Sequence, residues 1–162
     1  MGAARGARSL SGFRTHLAEV CSGLNGRRAR YVLFGATAMQ LWGTSRATRD
    51  IDILIEPTVA NAKRVLAALS GVGLGLAREW LAEELAAKPV TVIGDSPRVD
   101  VFTVAWSVRY REAAADAAVF ELEGVPIPTA SLDHLITSKR TGRLQDAADI
   151  ELLEELRRLR GG

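Results

Sequence analysis

Apolar residues recur every three or four positions from 9 to 24, at Leu10, Phe13, Leu17, Val20 and Leu24, the spacing of one buried helix face, and Asn25-Gly26 predicts its stop. YVLFG, 31–35, is a short unbroken apolar run that predicts a buried strand, and ATAMQLW behind it predicts a helix up to Gly43. From Asp50 the period drops to two. DIDILIE places Asp50, Asp52 and Leu54 on one strand face and Ile51, Ile53 and Ile55 on the other, and Pro57 ends it. VANAKRVLAAL predicts a helix, GVGLG (71–75) a loop, and residues 77–87 a second helix. VTVIG and RVDVFTV predict a hairpin around the turn formers Asp95, Ser96 and Pro97, and AVFELEG with VPIP predicts another strand pair. SLDHLITSKRTG has Ser131 as N-cap and Gly142 as a stop, and QDAADIELLEELRRLR predicts a last helix with acids early and bases late.

These elements predict an α/β (α+β) chain: a small mixed β-sheet flanked by helices and continued by a C-terminal helix pair. The 162 residues suit a single domain, with a core over 1–128 and the helix pair over 129–162. Apolar residues at 48% and charged residues at 25% are those of a folded globular protein. Cys21 is the only cysteine, which excludes an internal disulfide and a cysteine-rich zinc site. MGAARGARSLSGF lacks the apolar run of a signal peptide, and no stretch reaches about 18 consecutive apolar residues, so the expectation is a cytoplasmic protein with no membrane partner.

The net charge of +2 does not by itself imply a nucleic-acid partner. Its distribution says more: Arg27, Arg28 and Arg30 form one basic cluster, Lys139, Arg140 and Arg143 a second, and Arg157, Arg158 and Arg160 a third that also suits a helix C-terminus.

Asp50 and Asp52 interrupt an otherwise greasy strand. Two carboxylates on one strand face are about 7 Å apart at the backbone, close enough to converge, and crowded carboxylates destabilise a fold unless a cation joins them. Their hard oxygens suit Mg²⁺ or Mn²⁺. A solvated pair on an edge strand is the competing reading. Asp100, a lone acid in RVDVFTV, offers a third carboxylate on a neighbouring strand. Three such acids can hold divalent ions that activate an attacking hydroxyl and steady a leaving pyrophosphate, which suggests nucleotidyl transfer. Gly35 permits close backbone approach, and the helix opening at Ala36 and Thr37 could cradle a triphosphate, with Thr37 adding a hydroxyl donor; a plain tight turn is the alternative.

FGATAMQLWGTSRATRDIDILI resembles the signature of the DNA polymerase beta-type nucleotidyltransferase superfamily, in which a Gly-Gly or Gly-Ser turn precedes a DxD pair. It is most similar to the AbiEii/MenT-like branch, which reads roughly GGxA, a spacer, then RxTxDIDI, falling here on Arg46, Thr48, Asp50 and Asp52. SLDHLITSKRTGRLQDAADI resembles a later segment of that branch and places Lys139, Arg143, Asp146 and Asp149. Ala36 stands where the family has Gly or Ser.

The resemblance implies a nucleotidyltransferase fold, with Asp50 and Asp52 binding Mg²⁺ (or Mn²⁺) and Asp100 as third ligand or general base. It implies that Arg46, Arg49 and Lys139 neutralise the phosphates of an NTP, with Thr48, Arg143 and Asp146 in support. Lys139, Asp146 and Asp149 could equally be an ion-pair network between the last two helices. Members of this branch include toxin components of toxin–antitoxin and phage-defence systems, some acting on tRNA, so RNA or tRNA is an expected acceptor, with the clusters at Arg27, Arg28 and Arg30 and at Lys139, Arg140 and Arg143 expected to flank the site and neutralise the acceptor's phosphates, and an antitoxin is an expected partner. An aminoglycoside-type small acceptor and a non-catalytic, antitoxin-like scaffold are the rival readings. His16 and His134 read as structural, and Trp42, Trp80 and Trp106 as packing.

Overall fold

The structure, a computed structural model, describes residues 16–44, 48–73, 75–94 and 97–161. The start of the first predicted helix, Arg46, Asp95 and Ser96 lie outside them. Within them the architecture is the expected mixed one: seven helices, a six-stranded mixed sheet and a separate two-stranded ribbon.

Helix α1 (16–26) buries Leu17, Val20 and Leu24, the face the periodicity predicts. It leads into β1 (Tyr31–Phe34), whose four residues are all buried. Both faces of β1 are therefore covered, which is why its sequence is continuously apolar rather than alternating. Helix α2 (Gly35–Trp42) starts directly on the glycine, and β2 (Asp50–Ile55) returns antiparallel to β1. Helix α3 (Val59–Gly71) is opened by Thr58, whose hydroxyl accepts from the Asn61 N–H, and it buries Ala62, Val65, Leu66 and Leu69.

The helix expected over 77–87 is broken. A 3-10 turn (Gly75–Glu79) and a short α4 (Ala82–Ala87) replace it, hinged at Trp80 and Leu81. The indole of Trp80 packs instead under the Lys88 ammonium, 5.1 Å from its ring centre. The predicted hairpin is present as β3 (Val90–Ile93) antiparallel to β4 (Arg98–Phe102). RVDVFTV is not one strand, because the N–H and hydroxyl of Thr103 turn to the carbonyls of Pro89 and Lys88. The chain leaves the sheet there and folds back as the ribbon β5 (Val104–Ala105) and β6 (Val108–Arg109), with Trp106 63% exposed at its turn rather than packed.

Helix α5 (Tyr110–Ala115) packs on β1, and β7 (Ala118–Leu122) pairs with β8 (Val125–Thr129) through a turn in which Glu123 and Gly124 both have positive φ. That is the hairpin geometry matching strand twist. Pro126 and Pro128 are tolerated because β8 meets β1 only at its last residue, Thr129 opposite Leu33. The sheet order is β3-β4-β2-β1-β8-β7, with β2 and β4 parallel. Helices α6 (Leu132–Ser138) and α7 (Leu144–Leu159) pack together as the expected C-terminal pair. Ser131 caps α6 as predicted, but the helix stops at Lys139, short of Gly142.

Candidate functional site

The turn from β1 into α2 and the facing ends of β2 and β4 form one place. Gly35 has φ +68°, in the region that favours glycine. A Cβ added there would lie 2.1 Å from Oδ2 of Asp52, so that carboxylate fills the space a side chain would need. The register explains the approach, since Asp52 pairs with Phe34, the residue before the glycine.

Across the sheet Asp52 is the direct partner of Asp100, and Asp50 that of Arg98. Paired strands are about 4.8 Å apart, so Asp52 and Asp100 are closer at the backbone than the two members of DxD. Burial pushes the Asp52 carboxyl up to about 7, with the charges of Asp100 and then Asp50 adding to it and those of Lys139 and Arg98 opposing it. The charges of Asp100 and Asp50 are therefore felt at Asp52.

Each acid has a different local environment. Asp50 is tied through its backbone: its carbonyl accepts from the Thr37 hydroxyl at 2.7 Å, and its N–H donates to Oγ1 of Thr48 at 3.2 Å. Asp100 is gripped by Arg98, whose Nε donates to Oδ1 at 2.8 Å and whose Nη2 donates to Oδ2 at 3.2 Å. As they stand, no three His, Cys, Asp or Glu side chains among the described residues are arranged as a metal cluster.

The expectation that Thr37 supplies a hydroxyl to phosphate does not hold in this geometry. Thr37 is 1% exposed and its single hydroxyl proton goes to the Asp50 carbonyl, so it braces the turn against β2. Ala36, also buried, brings no polar side chain, which leaves backbone N–H groups as what the turn can offer an anion. Arg49 is exposed just ahead of Asp50, and Arg46 lies outside the described residues.

Lys139 reaches the site from the C-terminal helices. Its Nζ is 3.1 Å from Oδ2 of Asp149 and 3.6 Å from Oδ1 of Asp146, both buried on α7, and its charge is felt at Asp52. Arg143 and the Thr141 hydroxyl also bind Oδ2 of Asp146. These bonds, with the Lys139 charge, hold the Asp146 carboxyl below its ordinary range although burial opposes them. The ion-pair network is thus present, and Asp52 feels the charge of its lysine. Arg140 and Arg143 are exposed beside it.

The cluster at Arg27, Arg28 and Arg30, expected to flank the site, is elsewhere. It precedes Tyr31, which pairs with Ile55, whereas the acids lie level with Phe34, at the other end of β1. Arg30 pairs there with Glu56 at 2.8 Å. The residue sequence reasoning missed is Arg98, although the alternation in RVD sets it on the face of Asp100. In comparison with known proteins, the chain matches no protein-family model and no curated protein sequence.

Proposed function

We propose that the chain is a metal-dependent nucleotidyltransferase that moves NMP from an NTP to a hydroxyl acceptor. The observation that carries this is the placement of Asp52 opposite Asp100, with Asp50 beside it, directly over a glycine turn that opens a helix. A carboxylate buried against two others is costly unless a proton or a cation joins it, and the donor set, hard oxygens only, fits Mg²⁺ or Mn²⁺. Asp50, Asp52 and Asp100 would hold it. When bound, the ion supplies Lewis acidity and neutralises charge on the phosphates.

The chain's own groups do the rest. The N–H groups of the first turn of α2, from Gly35, Ala36 and Thr37, face an anionic tail without side-chain help. Lys139 is held in place by Asp146 and Asp149 and adds positive charge on the acid side, and Arg46 and Arg49 are the remaining phosphate partners the sequence offers. In transfer, the acceptor oxygen bonds to the α-phosphorus, the bond from that phosphorus to the bridging oxygen of pyrophosphate breaks, and the acceptor's proton passes to a site carboxylate. Asp100 is that carboxylate once Arg98 no longer occupies it.

RNA is the acceptor class favoured by the exposed Arg140 and Arg143 next to Lys139, consistent with a toxin-like or phage-defence role and a cognate antitoxin. Incubation with each α-labelled NTP, Mg²⁺ and total RNA tests all of this at once. Label on RNA from the native chain and none from Asp52→Asn is the expected result; label on neither the RNA, the protein nor a small hydroxylated acceptor would end the enzymatic reading.

A further inference from the structure

Arg98 and Asp100 sit two apart on β4 and so share a strand face, on which the guanidinium covers both carboxylate oxygens. This fork is the geometry in which arginine binds a carboxylate best. The same oxygens are those a divalent ion shared with Asp52 would need. The two partners also differ in freedom: the Arg98 side chain is 44% exposed and that of Asp100 12% exposed, so the arginine can swing into solvent while the acid stays.

We infer that Arg98 is a built-in competitor for the divalent cation, a positioning residue that keeps Asp100 aligned with Asp52 and must release both oxygens before metal can be shared between them. The inference rests on the metal-dependent reading above and adds a control to it. A divalent ion at Asp100 would replace a monovalent guanidinium, so the exchange adds one positive charge among the three acids. The released guanidinium stays tethered two residues away and exposed, available to an anionic substrate. Metal alone should therefore bind less readily than metal arriving with a triphosphate.

The test is Mn²⁺ binding to the full chain, followed by the electron paramagnetic resonance signal of the free ion, with circular dichroism as a folding control. Arg98→Gln should bind Mn²⁺ about tenfold more tightly than the native chain, because no charge-assisted fork has to be broken. Arg98→Lys should fall between them, since an ammonium keeps the charge but cannot span both oxygens. A non-hydrolysable NTP analogue should tighten Mn²⁺ binding more in the native chain than in Arg98→Gln. If Arg98→Gln does not fold, Arg98→Lys carries the comparison, and equal affinity to native overturns the inference. Equal or weaker Mn²⁺ binding by Arg98→Gln, with native binding still abolished by Asp52→Asn, overturns the competition and leaves the metal site standing. No Mn²⁺ binding by folded Arg98→Gln, or native binding indifferent to Asp52→Asn, removes the metal site and this inference with it.

Discussion

Strand β1 pairs with β2 along its whole length, yet the two ends of that pairing are finished in opposite ways. At the Tyr31 end a buried amide and an ion pair tie the chain down. The Arg30 N–H donates to Oδ1 of Asn61 at 2.7 Å, Asn61 Nδ2 donates to the carbonyls of Arg30 and Glu56 at 2.9 and 3.0 Å, and Arg30 bonds Glu56. At the Phe34 end three carboxylates are set side by side over a glycine, countered by Arg98 on one of them and by Lys139 at a remove. Val32, Leu33, Ile53 and Leu54 between the two ends are all buried, so packing there does not explain the contrast. One end spends its polar groups on holding the chain together, and the other leaves charge in need of a cation. That imbalance is what marks the second as a functional site.

The largest effect belongs to Asp52→Asn. Turnover of NTP should fall at least about a thousandfold, equivalent to about 4 kcal/mol of transition-state stabilisation. Stability should move the other way. The Asp52 carboxyl rises from 3.8 to about 7, so between those values the folded chain holds a proton that the unfolded chain has released. The metal-free native protein therefore loses stability as pH rises through that window, by at most about 1.4 kcal/mol per pH unit, and levels off above it. Urea denaturation at pH 5 and pH 8 should show this loss in the native chain and much less of it in Asp52→Asn. A native chain more stable at pH 8 than at pH 5 contradicts the account of Asp52.

Gly35→Ala comes next. A left-handed backbone and a new methyl 2.1 Å from Oδ2 of Asp52 act together, and should cost about 3 kcal/mol by strain and overpacking. Mn²⁺ affinity should fall with it, because Asp52 is the group that must move. Asn61→Ala sharpens the comparison from the other end. It removes three hydrogen bonds around a side chain that is 2% exposed, for about 2 kcal/mol, and leaves Mn²⁺ affinity unchanged in the folded protein. Parallel urea and Mn²⁺ titrations of both variants check the pair; loss of metal affinity in Asn61→Ala would mean that the two ends are not separable.

Much of this layout was legible beforehand. The unbroken YVLF run, the glycine after it and the period-two DIDILI yield β1, α2 and β2, and the alternation in RVDVF puts Asp100 on a strand face. What failed depended on distant partners. Nothing in residues 77–87 announces that Trp80 will pack with Lys88, or that Thr103 will turn to Lys88 and Pro89 and end the strand. Gly142 is a good stop by itself, but α6 ends at Lys139, whose ammonium is engaged by two acids of α7. Arg98 is a different case, because the spacing that joined Asp50 to Asp52 equally joins Arg98 to Asp100. The Arg27, Arg28 and Arg30 cluster was expected beside the site and is not there, although its place was legible: it precedes a strand that the glycine turn follows, so the two had to lie at opposite ends.

That separation yields the smallest expected effect. Replacing Arg27, Arg28 and Arg30 together with Ala removes three positive charges from the Tyr31 end. Three residues of strand, about 10 Å, separate that level from the level of Asp52. The screening length at physiological salt is about 8 Å, so exposed charges at that distance act only weakly on the acids. Mn²⁺ and NTP affinity should therefore stay within about twofold of native at physiological salt, and the difference should widen as salt is lowered. RNA affinity is the sensitive measurement. Each phosphate these arginines neutralise contributes roughly 0.7 to 0.9 to the slope of log affinity against log salt, so a flatter slope in the triple variant would show RNA reaching past the site to the paired end. An unchanged slope confines RNA to the side of Lys139, Arg140 and Arg143. A large fall in Mn²⁺ affinity at physiological salt would instead show that the arginines hold the acid end in shape, and the contrast between the two ends would fail.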